Sequence, residues 1–336
     1  MKRLLLLMIS LVLLTGCVRE ESNDNSPMGN FEALWRIIDE HYCFLDYKQV
    51  DWNAVKVHYQ PYITDDLSND KLFQILGNML AELKDGHVNL YAYHNTARYW
   101  NWYEDYPRNY NEELVEKYLG HEYRIGGGLR YRILDDNIGY VTCTSFSSAI
   151  GNNSLSEMLR YLDICNGIII DVRNNGGGEL TNSERLASRF TNEKLLVGYM
   201  SHKTGKGHSD FSEPEPIYVE PANGVRWQKP VVVLTNRHSY SATNDFVNSM
   251  RYMPHATIIG DQTGGGSGMP FNSELPNGWG VRFSACPMFD AEMQQIEFGI
   301  DPDIKVDLDP ADQAEGIDTI IEAARAFLNK KTIRNL

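Results

Sequence analysis

Basic side chains are in short supply in this chain: its 336 residues carry 31 Lys and Arg against 45 Asp and Glu, a formal net charge of −14. A surface that acidic repels a phosphate backbone, so nucleic acid is a poor partner. Cysteine is scarce as well, with five in all, and neither CxxC nor HExxH occurs. The nine histidines show no ligand spacing, so no metal site is expected. GxGxxG and a Walker lysine are also missing, and nothing points to a dinucleotide or nucleotide cofactor. No internal repeat is found. With 42% apolar residues the composition is that of a globular chain rather than a disordered, collagenous or solenoid one.

What is present begins with an address. Lys2 and Arg3 precede an apolar run over residues 4–14. That run is too short for a membrane span, which takes about 20 residues as helix, and it has the length of a secretory h-region. Leu14-Thr15-Gly16-Cys17 then matches the bacterial lipoprotein cleavage box, in which the cysteine thiol takes a diacylglycerol before cleavage. Residues 1–17 are the expected signal peptide, Cys17 the expected lipidation site, and residues 18–30 a polar, flexible tether. The expected place is the cell envelope of a Gram-negative bacterium, lipid-anchored and facing the periplasm or the cell surface. The lipid is the anchor, because no basic patch remains to grip anionic headgroups. Four cysteines are left: Cys43, Cys143, Cys165 and Cys286. Export permits disulfides, yet a chain this long does not need them, and Cys143 and Cys165 read as small buried hydrophobes.

Residues 31–95 read as an N-terminal helical subdomain. Phe31, Leu34, Trp35, Ile38 and Tyr42 recur at helical spacing, and Leu72, Ile75, Leu76, Met79, Leu80 and Leu83 form a second amphipathic face between Ser68 as N-cap and Gly86 as stop. Residues 96–137 are crowded with aromatics and read as a connecting layer packed on the core, with a glycan-binding surface as the lesser alternative. From Ile138 short β-branched runs (IGYVTCTSF, GIIIDVR, KPVVVLTN, ATIIG) alternate with helical stretches at 154–164, 179–190, 242–252 and 313–329. These runs are continuous rather than alternating, as in strands covered on both faces by helices. The expectation is a layered α/β core within residues 96–336.

Two strand-to-helix turns can hold chemistry. The run IIIDVRNNGGG (168–178) ends a buried strand in glycines, whose amides can face an oxyanion or a phosphate with no Cβ in the way. The run VVVLTNRHSYSATNDF (231–246) ends a second strand in a hydroxyl-rich turn. Ser241 would have its Oγ near the free N–H groups and positive dipole end of the next helix, which suits a nucleophile or a plain N-cap. Ser239 and Thr243 compete for the same assignment.

Together with Thr263-Gly264-Gly265-Gly266 and Gly299-Ile300-Asp301-Pro302-Asp303, these runs resemble the S41 peptidases, the tail-specific or C-terminal-processing proteases, over about residues 72–308. The resemblance implies an α/β spiral core akin to ClpP and crotonase, and no cofactor. The segment SYSATN (239–244) lines up with the family's S-A-S-A-S-E, which implies Ser241 as nucleophile, one oxyanion donor at the Ala242 amide and another at Gly176 or Gly177. The processing proteases carry a lysine base in a T-F-G-K-G segment, where this chain has Gly266. The tricorn-like branch uses a histidine with a glutamate partner, and Lys84-Asp85-Gly86-His87-Val88 resembles its histidine segment. The resemblance therefore implies His87 as general base and Glu297 as its orienting partner. That branch has a serine directly before the histidine, where this chain has Gly86. His238 and His255 are rivals to His87. Only residues 88–137 separate His87 from the core, so the PDZ domain that selects C-terminal tails is missing. A histidine base, with a reference pKa of about 6.5, sets the expected acid limb of activity near that pH. The reading is a serine peptidase acting on peptides or unfolded proteins outside the cytoplasm. The alternative is a non-catalytic ligand- or peptide-binding protein on the same scaffold.

Overall fold

A computed structural model describes residues 24–334. The signal peptide, Cys17 and the first part of the tether lie outside the described residues. The first helix, Pro27–His41, begins inside the segment read as tether. Ser26 caps it by accepting the Gly29 amide at 3.0 Å, and Pro27 supplies a preset φ in the first turn. Phe31, Leu34 and Ile38 bury one face of this helix, and Asn30 accepts the Asn277 amide at 3.0 Å, which ties its start to the body. Helices Trp52–Tyr59 and Asn69–Ala81 follow, the second capped by Ser68 as expected.

These helices pack on a sheet the sequence did not announce. It joins β1 (Asn89–Ala92), β2 (Asn95–Arg98), β7 (Leu195–Met200), β8 (Glu215–Val219), β11 (Gly268–Glu274) and β12 (Gly280–Asp290). The order is β2-β1-β12-β7-β8, with β11 on β12, and every pairing is antiparallel. Residues 89–95, read with the helical subdomain, are thus the start of a hairpin. Leu90 from β1 and Val281, Phe283 and Ala285 from β12 share one core with the N-terminal helices.

The larger sheet has seven strands in the order β13 (Ile304–Lys305), β10 (Ala256–Gly260), β9 (Val231–Thr235), β6 (Gly167–Asp171), β5 (Ile138–Cys143), β4 (Leu129–Ile133) and β3 (Arg124–Gly126). Strands β13 to β5 run parallel, and β4 and β3 close one edge antiparallel. Ile168, Ile170, Val231 and Val233 pack with helices Asn152–Leu162, Leu180–Ala187 and Ala242–Arg251. Ile169, Val232 and Leu234 pack on the opposite face with helices Glu112–Leu119 and Thr319–Arg334. Covering both faces is why β6 and β9 read as unbroken apolar runs. The four described cysteines are free and buried, Cys143 and Cys165 in the first of these cores. Neighbouring parallel strands β6 and β9 end side by side, and their following turns carry the two motifs, the usual place for a site in a parallel sheet.

Candidate active site

Ser241 joins β9 to helix Ala242–Arg251 at φ 59° and ψ −124°, a backbone conformation that favours glycine and is strained for serine. Its side chain makes no cap bond to the helix. Instead, Ser241 Oγ lies 2.9 Å from His87 Nε2. The backbone is held on both sides, since Ser241 N–H donates to Gly265 O at 2.9 Å and Ser241 O accepts from Asp245 N–H at 3.1 Å. Ser239 is no rival: its hydroxyl is buried and donates to Val172 O at 2.9 Å. Thr243 is fully buried behind the turn. The Ala242 amide, in the first turn of the helix, has no intrahelical carbonyl to bond.

The glycine turn is built from a buried charge network. Asp171 Oδ2 accepts the Tyr140 hydroxyl at 2.8 Å and Arg173 Nη2 at 2.7 Å, while Arg173 Nη1 reaches Asp318 at 3.0 Å. Beyond it, Asn175 stitches the two turns together. Its Nδ2 donates to Cys143 O at 2.9 Å, its Oδ1 accepts the Gly177 amide at 2.9 Å, and its carbonyl accepts the Tyr240 amide at 3.1 Å. Gly177 has φ +98°, and a Cβ there would stand 2.7 Å from Tyr240 O and 2.9 Å from Ala242 N. Only glycine lets this turn sit against Ser241. Because the Gly177 amide is taken by Asn175, Gly176 is the one of the two expected oxyanion donors still available. It lines the same cavity as Ser241.

His87 follows the N-terminal helices. Its own amide donates to Asp85 Oδ1 at 2.8 Å, and Asn89 Nδ2 donates to its carbonyl at 2.8 Å. The imidazole leans on the Tyr240 ring, centroids 4.9 Å apart. Burial brings the His87 pKa down to about 4, against the opposing pull of Asp85, so the ring is neutral near pH 7. Among the described residues its Nδ1 has no hydrogen-bond partner. The two glycines that depart from the family pattern, Gly86 and Gly266, have a steric cause. A side chain at Gly86 would meet Trp102 Nε1 at 2.5 Å and the Tyr240 hydroxyl at 2.9 Å, which leaves no room for a serine. One at Gly266 would meet the Tyr240 ring at 2.4 Å, so a lysine has no place there. Tyr240 and Trp102, stacked at 4.0 Å, fill the space.

Glu297 does not bond His87, contrary to its expected role. Its carboxylate accepts the Ser267 amide at 2.8 Å and pairs with Lys48 Nζ at 2.8 Å, and its carbonyl accepts the Gly266 amide at 3.0 Å. Lys48 reaches Asp85 Oδ2 as well, at 3.3 Å, and that oxygen also accepts the hydroxyls of Tyr42 at 2.9 Å and Ser284 at 3.0 Å. One buried ammonium thus serves two buried carboxylates. Burial pushes Asp85 up, but Lys48, the imidazole and its hydrogen bonds bring it below the usual carboxylate range. Burial pushes Glu297 up to about 7 despite Lys48. Sequence reasoning passed over Lys48, Asp85, Tyr42 and Ser284. Asp85 lay inside a quoted motif, whereas Lys48 gave no signal, being one lysine in a mixed segment. His238 packs on Trp102 and Tyr103 at 5.7 and 4.7 Å and does not bond Ser241, and His255 is exposed on a turn.

Two cavities meet at Ser241 and His87. One, of about 360 Å³, is walled by Leu180, Met269, Met288 and Ile296, with Asp245 among its lining residues. The other, of about 420 Å³, is lined by Arg98, Trp100, Trp102, the glycine turn and Arg282. The aromatic stretch therefore contributes to the cleft wall as well as to packing.

Residues 137–306 match peptidase family S41, and residues 24–81 match the Tricorn protease C1 domain. A solved structure from Parabacteroides merdae, described as a candidate peptidase, is 55% identical with a TM-score of 0.87, covering 91% of this chain and 97% of that one. Among curated proteins, a carboxyl-terminal-processing protease of Synechocystis is 26% identical over 51% of this chain and 39% of its own length. The tricorn protease of Thermoplasma acidophilum is 25% identical over 56% of this chain and 16% of its own length. The chain thus spans well under half of these two curated relatives.

Proposed function

The chain belongs to peptidase family S41, and on that footing we propose that it hydrolyses peptide bonds with Ser241 as nucleophile and His87 as general base. The 2.9 Å contact between Ser241 Oγ and His87 Nε2 carries the reading. Neutral His87 takes the serine proton as Oγ attacks the scissile carbonyl, then returns it to the leaving amine. Water repeats the sequence on the acyl-enzyme, with His87 again the base. The oxyanion faces the Ala242 amide at the helix start and the Gly176 amide in the glycine turn. Asp85, against the His87 backbone, is the nearby negative charge that favours the imidazolium formed in each step. Glu297 acts one step away, by fixing Lys48 and the loop at 266–267.

The substrates in this reading are peptides or unfolded proteins outside the cytoplasm. The cleavage box at residues 14–17 supports export and lipid anchoring through Cys17. Incubation with an unstructured protein such as casein should yield peptides with the wild type and none with Ser241→Ala. Intact casein with a folded wild type would favour the binding-protein alternative. In cells, the wild type should partition with detergent-extracted membranes and Cys17→Ser should not. An unacylated wild-type N-terminus elsewhere would refute the anchor.

A further inference from the structure

One wall of the cleft is cationic in a chain whose net charge is −14. Asn89 on β1 is directly opposite Arg98 on β2 and directly opposite Arg282 on β12. The three side chains therefore stand in one row on the same face of the sheet, neighbours about 5 Å apart at Cβ. Asn89 sits in the middle, donating to the His87 carbonyl and accepting from Arg98 Nε. The Arg98 guanidinium is stacked 4.8 Å over Trp100, and its terminal nitrogens are not used by the bond to Asn89. The Arg282 side chain makes no hydrogen bond or ion pair with any described residue, although the residue is half-buried. Both arginines line the 420 Å³ cavity with Ser241 and His87, and that cavity has no Asp or Glu in its lining. Two guanidiniums lining the cavity of Ser241, neither paired with a carboxylate of a described residue, match a carboxylate in geometry and charge.

We propose that Arg98 and Arg282 form a carboxylate-binding subsite of the cleft, so that favoured substrates carry a carboxylate on the β1–β2–β12 side of the scissile bond. This rests on the peptidase reading above. The carboxylate can be the free C-terminus of the substrate or an Asp or Glu side chain close to the cleaved bond. Recognition of a terminus by the cleft itself would need no PDZ domain.

The test compares one short peptide in three forms: free acid, C-terminal amide, and amide with a glutamate beside the cleaved bond. The wild type should cleave at least one carboxylate form with kcat/KM about tenfold or more above the plain amide, the discrimination a charge-assisted contact supports. The free acid marks a terminus as the ligand, and the glutamate amide a side chain. In Arg282→Gln that ratio should fall toward one, mainly through KM, and Arg282→Lys should keep part of it. A wild-type ratio near one, or a ratio unchanged in the Arg98→Gln/Arg282→Gln double variant, would overturn the subsite. The same peptides titrated onto Ser241→Ala by calorimetry read the preference without turnover. Preferential binding of a carboxylate form there, with no hydrolysis by the wild type, would keep the subsite and sink the peptidase reading.

Discussion

Ser241 Oγ and His87 Nε2 stand 2.9 Å apart although 154 residues separate them in the chain. The serine comes from the turn after strand β9 of the larger sheet, and the histidine from the end of the N-terminal helices, whose core is shared with the second sheet. Their contact exists only where those two cores meet, so a loosened interface disables the site without touching either side chain.

The base should reveal itself by pH. Replacing His87 with Ala should lower kcat by on the order of 10²–10⁴, the usual worth of a positioned general base, while His238→Ala keeps most activity. With the His87 pKa brought down to about 4 by burial, the acid limb of kcat/KM should lie near pH 4 rather than near the 6.5 expected of an ordinary histidine. The sign for stability follows from a depressed folded-state pKa. The contribution of His87 is complete above about 6.5 and is lost as pH falls toward 4. An acid limb at 6.5 in kcat/KM profiles would contradict a base depressed by burial.

Strain at Ser241 predicts a trade between stability and chemistry. Ser241 holds φ 59° and ψ −124° and caps nothing. Ser241→Gly should therefore be inactive yet more stable by about 1 kcal/mol, since glycine takes this conformation without the Cβ penalty. Chemical denaturation of both proteins reads the difference, and a less stable glycine variant would contradict the strain.

Lys48 should be a costly charge to remove. Its ammonium pairs with Glu297 at 2.8 Å and Asp85 at 3.3 Å, all three side chains buried. Lys48→Met leaves the Asp85 carboxylate without its cation and favours a protonated Glu297, and should lose about 3–5 kcal/mol, with part regained in Lys48→Met/Glu297→Gln. Urea unfolding of the single and double variants measures both.

Asp245 offers a second pH signature. Burial, with Glu184 nearby, pushes its pKa up to about 7. The Ser183 hydroxyl, 2.8 Å from Leu180 O and 3.2 Å from Asp245 Oδ2, is a donor shared between the two and only partly offsets that burial. A raised folded-state pKa means that stability is complete below about 4 and falls as pH rises through 7. Asp245→Asn keeps the shape and an acceptor oxygen without the charge, so its melting temperature should gain on the wild type at pH 8 and not at pH 4. An equal difference at both pH values would place the charge elsewhere.

The larger sheet was legible because Ile168–Ile170 and Val231–Leu234 are buried on both faces and so leave unbroken apolar runs. Ser241 was legible as a position, while its pairing with His87 came only through family resemblance, since nothing local links two residues so far apart. The second sheet stayed hidden because its strands pair across long distances in the chain, as in Asn89 with Arg282. The role of Glu297 was misread for a related reason. Its partner Lys48 comes from a loop of the helical region, and neither residue's sequence context records the other. Gly86 and Gly266, by contrast, look like defects in a family pattern until Tyr240 and Trp102 are seen occupying the missing side chains' space.

The central claim is that Ser241 is an activated nucleophile, and covalent labelling by a fluorophosphonate at neutral pH tests it most directly. Mass spectrometry of the digested protein should find one adduct, on Ser241, slowed sharply in His87→Ala and absent from Ser241→Ala. An unlabelled, folded wild type, or an adduct on Ser239 that persists in Ser241→Ala, would contradict it.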